Sequence, residues 1–423
     1  MIRFFRYIVL QVYLLLVVCF SSWAQSTPIA TLSPEAQVSL ITCEPGEALF
    51  EAFGHSAIRV EDQATGIDMA YNYGVFDFNQ PNFYGNFAKC YLLYKLCTTE
   101  FSRFRYQYGY FDRGVHEQVL NLTPAQKQAV YQFLEINNLP QNRDYYYDYF
   151  FDNCATRPRD VFISILGDSL QFDYGYADTL QYTIRGLIDH YIGDSSKHAW
   201  GDLGIDIGLG AKIDRLATPF EYMYQPEFLA LAFEGATVLQ PDGTRRPFVS
   251  SSHTLFQGQA AVEEAGFYFT PTFAFWLLLV LVAAGTAADL RRRKYRMRAF
   301  DVLFFAVLGL TGALIVFLWF FTNHGSAANN WNILWALPTH VVAGLLLLYL
   351  PYQRGLQRYF LATAVVSGIL LLTWPLIPQD LHESLIPVVL MVILRSVVIY
   401  TGVTGKQPEQ RSFSRPAKVA KSL

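Results

Sequence analysis

Several things are scarce in this chain of 423 residues, and each scarcity narrows what it does. Charged residues make up only 16%, against about a quarter in ordinary soluble proteins. The net charge is −3, so there is no overall basic field and nothing points to nucleic acid as a partner. The five cysteines are Cys19, Cys43, Cys90, Cys97 and Cys154, and none has a neighbour at the CxxC spacing of a zinc site. No metal and no other cofactor is therefore expected. A disulfide framework has little support. Cys90 with Cys97 is the pair to consider, and free buried thiols are the alternative. No internal repeat or low-complexity segment is evident.

What is abundant is apolar surface, at 52% of the residues. Residues 1–24 read as a secretory signal: Arg3 and Arg6 precede an apolar stretch, and Ser22-Trp23-Ala24 makes a small-residue cleavage site. An uncleaved anchor is the rival reading. Val18 before Cys19 argues against self-lipidation. Residues 25–266 mix polar and apolar residues like a soluble domain, with a core at about 35–167 and an accessory part at 168–266. From 267 to 402 the chain contains five apolar runs of spanning length, at 267–288, 302–321, 331–351, 359–377 and 384–402. Arg291, Arg292, Arg293, Lys294, Arg296 and Arg298 crowd the first loop between runs, Arg354 and Arg358 the third, and the tail 403–423 is basic. Loops 322–330 and 378–383 carry no Lys or Arg. Every second loop is basic, which predicts a bacterial inner-membrane protein with a cytoplasmic C-terminus and residues 25–266 in the periplasm.

Local signals inside the soluble part are few but specific. Thr123-Pro124 with Gln126 predicts a helix over 124–137. Residues 55–60 and 67–74 alternate as two strands. Pro241-Asp242-Gly243 predicts a hairpin within 236–249. Val161–Leu166 reads as a helix stopped by Gly167, and Pro158 fits only its first turn. Cys154 should then sit at or just before a helix N-terminus, where the partial positive charge favours a thiolate. Arg157 and Arg159 would push the same way. A packed core cysteine is the plainer alternative.

His55, after Gly54 and at the start of a strand, is the candidate base. If Val60 pairs with Ile67, Asn72 falls opposite His55 and can hold the imidazole in one tautomer. A slip of one residue would put Asn72 on the wrong face. Tyr147, Asn153 and Arg157 are candidate oxyanion or substrate contacts. In the outward loop, His324, Asn329, Asn330, Trp331 and Trp335 are candidate lipid-facing residues, and His340 is an ionisable group inside an apolar run.

The order Gly54-His55-Ser56-Ala57 and then Asp152-Asn153-Cys154-Ala155 resembles the circularly permuted papain-like hydrolases and acyltransferases, the group of NlpC-like peptidases and lecithin:retinol acyltransferase. Tyr71-Asn72-Tyr73-Gly74, Phe76-Asp77-Phe78, Leu120-Asn121-Leu122-Thr123, Arg157, Asp160 and Asn329–Trp335 with Pro338 make the chain similar, over most of residues 35–400, to the Lnb-type lipoprotein N-acyltransferases. The resemblance implies an α+β permuted papain-like periplasmic domain followed by an all-α domain of five transmembrane helices. It implies acyl transfer from a membrane phospholipid to the N-terminal cysteine of an exported lipoprotein, with Cys154 as nucleophile and His55 as base. A periplasmic cysteine peptidase or amidase could use the same pair with water as acceptor. A non-enzymatic membrane assembly factor would leave both residues inert.

Overall fold

A computed structural model describes residues 29–77, 79–177, 180–193, 197–259 and 269–402. The expected signal peptide 1–24, the basic tail, Phe78 and the border between the two parts near 266 lie outside the described residues.

The N-terminal part is mixed α/β. Seven strands form one antiparallel sheet: β1 Gln37–Cys43, β2 His55–Asp62, β3 Ile67–Phe76, β4 Leu93–Glu100, β5 Val115–Leu120, β6 Asp144–Tyr146 and, returning late in the chain, β10 Val249–Phe256. Their order is β10-β5-β1-β2-β3-β4-β6. A small second sheet contains β7 Leu170–Gln171, β8 Thr237–Leu239 and β9 Arg245–Pro247. β8 and β9 are the expected hairpin, closed by Gln240 N–H on Thr244 O at 2.8 Å. The late segment is thus not a separate appendage. β10 completes the edge of the main sheet, and Leu229, Phe233 and Phe248 enter the same core as Val38, Leu40, Ile58, Val60 and Tyr71.

Helices α1 Phe83–Ala88 and α2 Phe101–Tyr110 flank β4, followed by α3 Pro124–Asn137 and α4 Thr156–Leu166. α3 starts where the sequence says. Thr123 Oγ1 accepts from Gln126 N–H, and the Gln126 side chain accepts from Thr123 N–H. The central strands are buried on both faces because α3 and α4 cover one side, while Phe101 and Phe104 of α2 pack on Ile41, Ala57 and Ala70 on the other.

The register of the first hairpin differs from expectation by two residues. Val60 pairs with Met69, and Asp62 with Ile67. The reason is the turn: Asp62 Oδ1 accepts from Ala64 N–H, and Gly66 has φ +73°, so the connection spans four residues. Side chains alternate with period two, so a shift of two keeps every residue on its intended face.

Five more helices belong to the C-terminal part, numbered after α5 Ile184–Ile192, α6 Ala199–Gly208, α7 Pro219–Tyr222 and α8 Pro226–Gly235. Among the described residues three are long and apolar enough to cross a membrane: α9 Pro271–Arg292, α10 Arg298–Phe320 and α12 Arg354–Leu372. α13 Leu385–Thr401 is apolar and shorter. The expected run at 331–351 is α-helical only at α11 His340–Leu346. It opens on a single 3-10 turn, Trp331–Leu334, because Asn330 and Asn332 hydrogen-bond backbone groups and Pro338 removes a donor. The sequence pattern also missed a buried ion pair inside the bundle. Arg395 and Asp301, both fully buried, meet through two bonds of 2.7 and 2.8 Å.

Candidate active site

The local chain around Cys154 is built by Asn153. Asn153 Oδ1 accepts from the N–H groups of Ala155 and Thr156 at 2.8 and 2.9 Å, which caps the start of α4. Asn153 Nδ2 donates to Tyr149 O and Tyr224 O, both at 2.8 Å. Both amide hydrogens are spent, so Asn153 lines the cleft as a cap and has no donor left for an oxyanion. Cys154 itself stands just ahead of the helix, with half-buried sulfur-bearing side chain and its neighbour Ala155 fully buried.

Two strands distant in sequence from Cys154 converge on it, β2 and β3. His55 opens β2 and hydrogen-bonds Cys154. On the far side of its ring, His55 Nε2 lies 2.5 Å from Asn72 Oδ1 on β3. An amide oxygen only accepts, so Nε2 carries the hydrogen and Nδ1 keeps its lone pair for the thiol. Gly74 supplies the room. It sits at φ +87°, where β3 breaks its ladder with β4 after Asn72, and a Cβ there would lie 3.3 Å from Cys154 Cβ. Gly74 was within reach of sequence reasoning, since a lone glycine in a strand pattern marks a bulge or a close approach.

The electrostatics follow from the contacts. Burial alone would raise the Cys154 thiol, but the His55 imidazole, helped by the N–H groups of Ser56 and Cys154, more than reverses it and holds the thiol below its ordinary value. Burial likewise works against protonated His55, and Cys154 and Asn72 outweigh it, so the imidazole is held above its ordinary value. The expected arginines contribute little. Arg157 is clamped by both oxygens of Asp152 and lies over the Tyr145 ring at 3.9 Å, and Arg159 pairs with Asp160 at 2.7 Å. Arg157 is accordingly absent from the lining of the cleft.

Cys154 and His55 lie in a cleft of about 250 Å³. Tyr147 lines it and stacks on Tyr94 with ring centroids 4.2 Å apart. Burial keeps the Tyr147 hydroxyl far above its ordinary value, so it remains a donor. Most lining residues were not anticipated, Tyr108 and Arg113 among them. Tyr108 stacks on His55, and Arg113 donates to Glu44 O and Glu51 while lying over the Tyr108 ring. Neither stood in a recognisable pattern. Among the described residues Cys43, Cys90, Cys97 and Cys154 are all free, so the considered Cys90–Cys97 pair is not joined. Buried Cys43 faces Tyr108, and burial pushes its thiol up and away from reactivity.

The rim of the cleft is tied to the membrane part. Leu49, beside the rim residue Phe50, packs so closely on α6 that a Cβ on Gly201 would lie 2.7 Å from it. The adjacent Trp200 donates to Phe269 O at 2.6 Å, two residues before the first long apolar helix. The loop 322–332 makes a second joint. Asn323 N–H bonds Lys89 O at 3.1 Å, and Asn330 Nδ2 bonds Ile207 O at 2.8 Å. Asn330 and Trp335, offered by the sequence as lipid-facing, are instead 1% and 2% exposed and work as packing in this joint. Trp335 donates to Asn332 Oδ1, and Asn332 Nδ2 to Asp206 O. Asn329 is exposed at φ +60°, Trp331 borders on exposed, and His324 is half-buried with Nδ1 2.9 Å from Thr322 Oγ1.

Comparison with protein families gives two matches. The Lnb N-terminal periplasmic domain matches residues 23–187, and the Lnb transmembrane domain matches residues 262–407. No curated protein and no solved structure matches the chain.

Proposed function

We propose that this chain, which belongs to the Lnb-type family, is a lipoprotein N-acyltransferase that works through a thioester on Cys154. The observation that carries the mechanism is the line Asn72–His55–Cys154 in one cleft, with Nε2 of the imidazole held by Asn72 and the other nitrogen turned to the thiol. A permuted papain-like arrangement accounts for this order, His before Cys, with the nucleophile at the start of a helix against the sheet.

The reaction runs in two steps. His55 takes the Cys154 proton, and the thiolate attacks the ester carbonyl of a membrane phospholipid. The carbon–oxygen bond breaks, the lyso-lipid oxygen takes the proton from His55, and the acyl group remains on sulfur. The free α-amine of a lipid-modified N-terminal cysteine then attacks the thioester. His55 receives the amine proton and returns it to the departing Cys154 sulfur. In this reading Tyr147 and the Cys154 N–H would serve as the oxyanion donors in each step.

A cleft of about 250 Å³ holds an ester or amine and not a whole diacyl lipid. The acyl chains therefore stay in the bilayer, which costs about 0.8 kcal/mol per CH₂ to leave. Phe50 and Phe111, which line the cleft and are 77% and 61% exposed, suit such a rim. The topology that fits has residues 25–266 in the periplasm, 267–402 as the inner-membrane domain and the tail in the cytoplasm.

The test is transfer itself. The purified chain in phospholipid vesicles, given a diacylated lipopeptide with a free amine, should yield the N-acyl product by mass spectrometry. Free fatty acid with unmodified lipopeptide would instead indicate a hydrolase.

A further inference from the structure

A second polar cluster lies away from the cleft, where α5 and α6 meet the outward loop 378–384 of the membrane part. Asp202 and Asp206, one turn apart on α6, are 3% and 6% exposed. An oxygen of each and a ring nitrogen of His382 lie within 4.8 Å of one another. Asp189, on α5, is within electrostatic range of both aspartates.

The charges in this cluster do not cancel. Arg185 is the buried cation, bonded to Asp206 Oδ1 at 2.5 Å and to both oxygens of Asp214. One guanidinium thus bonds two carboxylates, and among the described residues no Lys or Arg side chain bonds Asp202 or Asp189. His382 sits against this set: its Nδ1 accepts from Ser384 N–H at 3.1 Å, which leaves a hydrogen on Nε2, 3.4 Å from Asp202 Oδ2. Nε2 is then a donor that orients Asp202, and not a metal ligand. The other oxygen, Asp202 Oδ1, is buried and has no hydrogen-bond partner among the described residues, and the same holds for Asp189 Oδ1. Two buried acceptors of negative charge facing no donor are costly unless something cationic meets them.

We infer that this junction is a binding site for a hard divalent cation, with Asp202 Oδ1 and Asp206 as first ligands, Asp189 as the neighbouring carboxylate and His382 holding Asp202 in place. All-oxygen ligation is the preference of calcium and magnesium rather than zinc. The cation would staple α6 to the loop that follows the third long helix. Since α6 also carries Trp200 and Gly201, it would fix the rim of the cleft against the membrane part.

The probe is calcium chloride or magnesium chloride added to the full-length chain in detergent, read as thermal unfolding. The wild type should melt several degrees higher with calcium or magnesium than with EDTA. Asp202→Asn should lose that response and match the EDTA-treated wild type. Terbium luminescence on the wild type, displaced by calcium, gives a readout that does not depend on the variant folding. Three results would overturn the site: no shift with either ion, an equal shift in Asp202→Asn, or an Asp202→Asn variant more stable than the calcium-treated wild type. The last would mean that relief of repulsion between protonatable carboxyls is all the cluster needs.

Discussion

The cleft and the helix bundle each bury a polar cluster, and they differ in whether the bonding capacity is used up. In the bundle, Arg395 spends Nε and one terminal nitrogen on Asp301 and the other on Thr286 Oγ1 at 2.6 Å, while Tyr295 closes the far side of Asp301 at 2.7 Å. Every nitrogen of the guanidinium and both oxygens of Asp301 are engaged. In the cleft, His55 has a fixed partner on one nitrogen and a thiol on the other, and Tyr147 and Cys154 line the cavity. A saturated cluster holds the fold together. An unsaturated one, held by saturated neighbours such as Asn153 and Arg157, is where chemistry is stored.

The comparison breaks if the two clusters respond alike to mutation. Cys154→Ser should reduce transfer by at least about a thousandfold, since the nucleophile of a covalent mechanism has no substitute, while the melting temperature stays within a few degrees. Assays of product per folded molecule together with unfolding scans separate the two effects. Arg395→Leu should do the reverse. It leaves Asp301 buried without its cation, which costs about 3–5 kcal/mol of stability. The molecules that remain folded should turn over at the wild-type rate. A catalytic defect in that surviving fraction would place the bundle in the chemistry.

Smaller changes sharpen the contrast. Asn72→Ala should lower kcat about tenfold to hundredfold through loss of ring orientation, leaving stability nearly unchanged. The pH profile is the diagnostic. Because Cys154 is held below its ordinary value and His55 above its own, the reactive pair exists above the first and below the second, giving a bell. The acid limb should lie below the usual thiol value of about 8.5, and the alkaline limb above the usual imidazole value of about 6.5. Asn72→Ala removes a contact that favours the charged ring, so its alkaline limb should move to lower pH. An unmoved limb would reduce Asn72 to packing. The smallest effect belongs to Arg157→Ala. Its ion pair with Asp152 is partly exposed, so transfer should change by less than about fivefold.

What the sequence revealed divides along the same line. Features with a local signature were legible: the capping box at Thr123, the stop at Gly167, the hairpin around Gly243, and Cys154 ahead of a helix. The His55–Asn72 contact was legible for a reason that survived an error. The register is two residues away from the expected one, and a period of two forgives that. Residues whose role depends on distant parts of the chain were not legible. Arg157 looked like an electrostatic aid to Cys154 because its quenching by Asp152 is a matter of rotamers. Asn330 and Trp335 looked like interfacial residues because nothing local says that α6, some 120 residues earlier, packs against them. Tyr108 and Arg113 reach the cleft only through the pairing of β1 with β2 and β5. The run at 331–351 counted as a span by composition, and the asparagines that break it act through side-chain bonds that hydropathy does not see.

The central claim is a covalent intermediate on Cys154, and the most direct measurement is to trap it. The wild-type chain in phospholipid vesicles without lipopeptide should accumulate an acyl adduct on the peptide containing Cys154. The adduct should be removed by hydroxylamine, transferred on addition of a lipopeptide amine, and missing in Cys154→Ser. N-acylation of the lipopeptide at the wild-type rate by Cys154→Ser, with no adduct at Cys154 in the wild type, would contradict the thioester account.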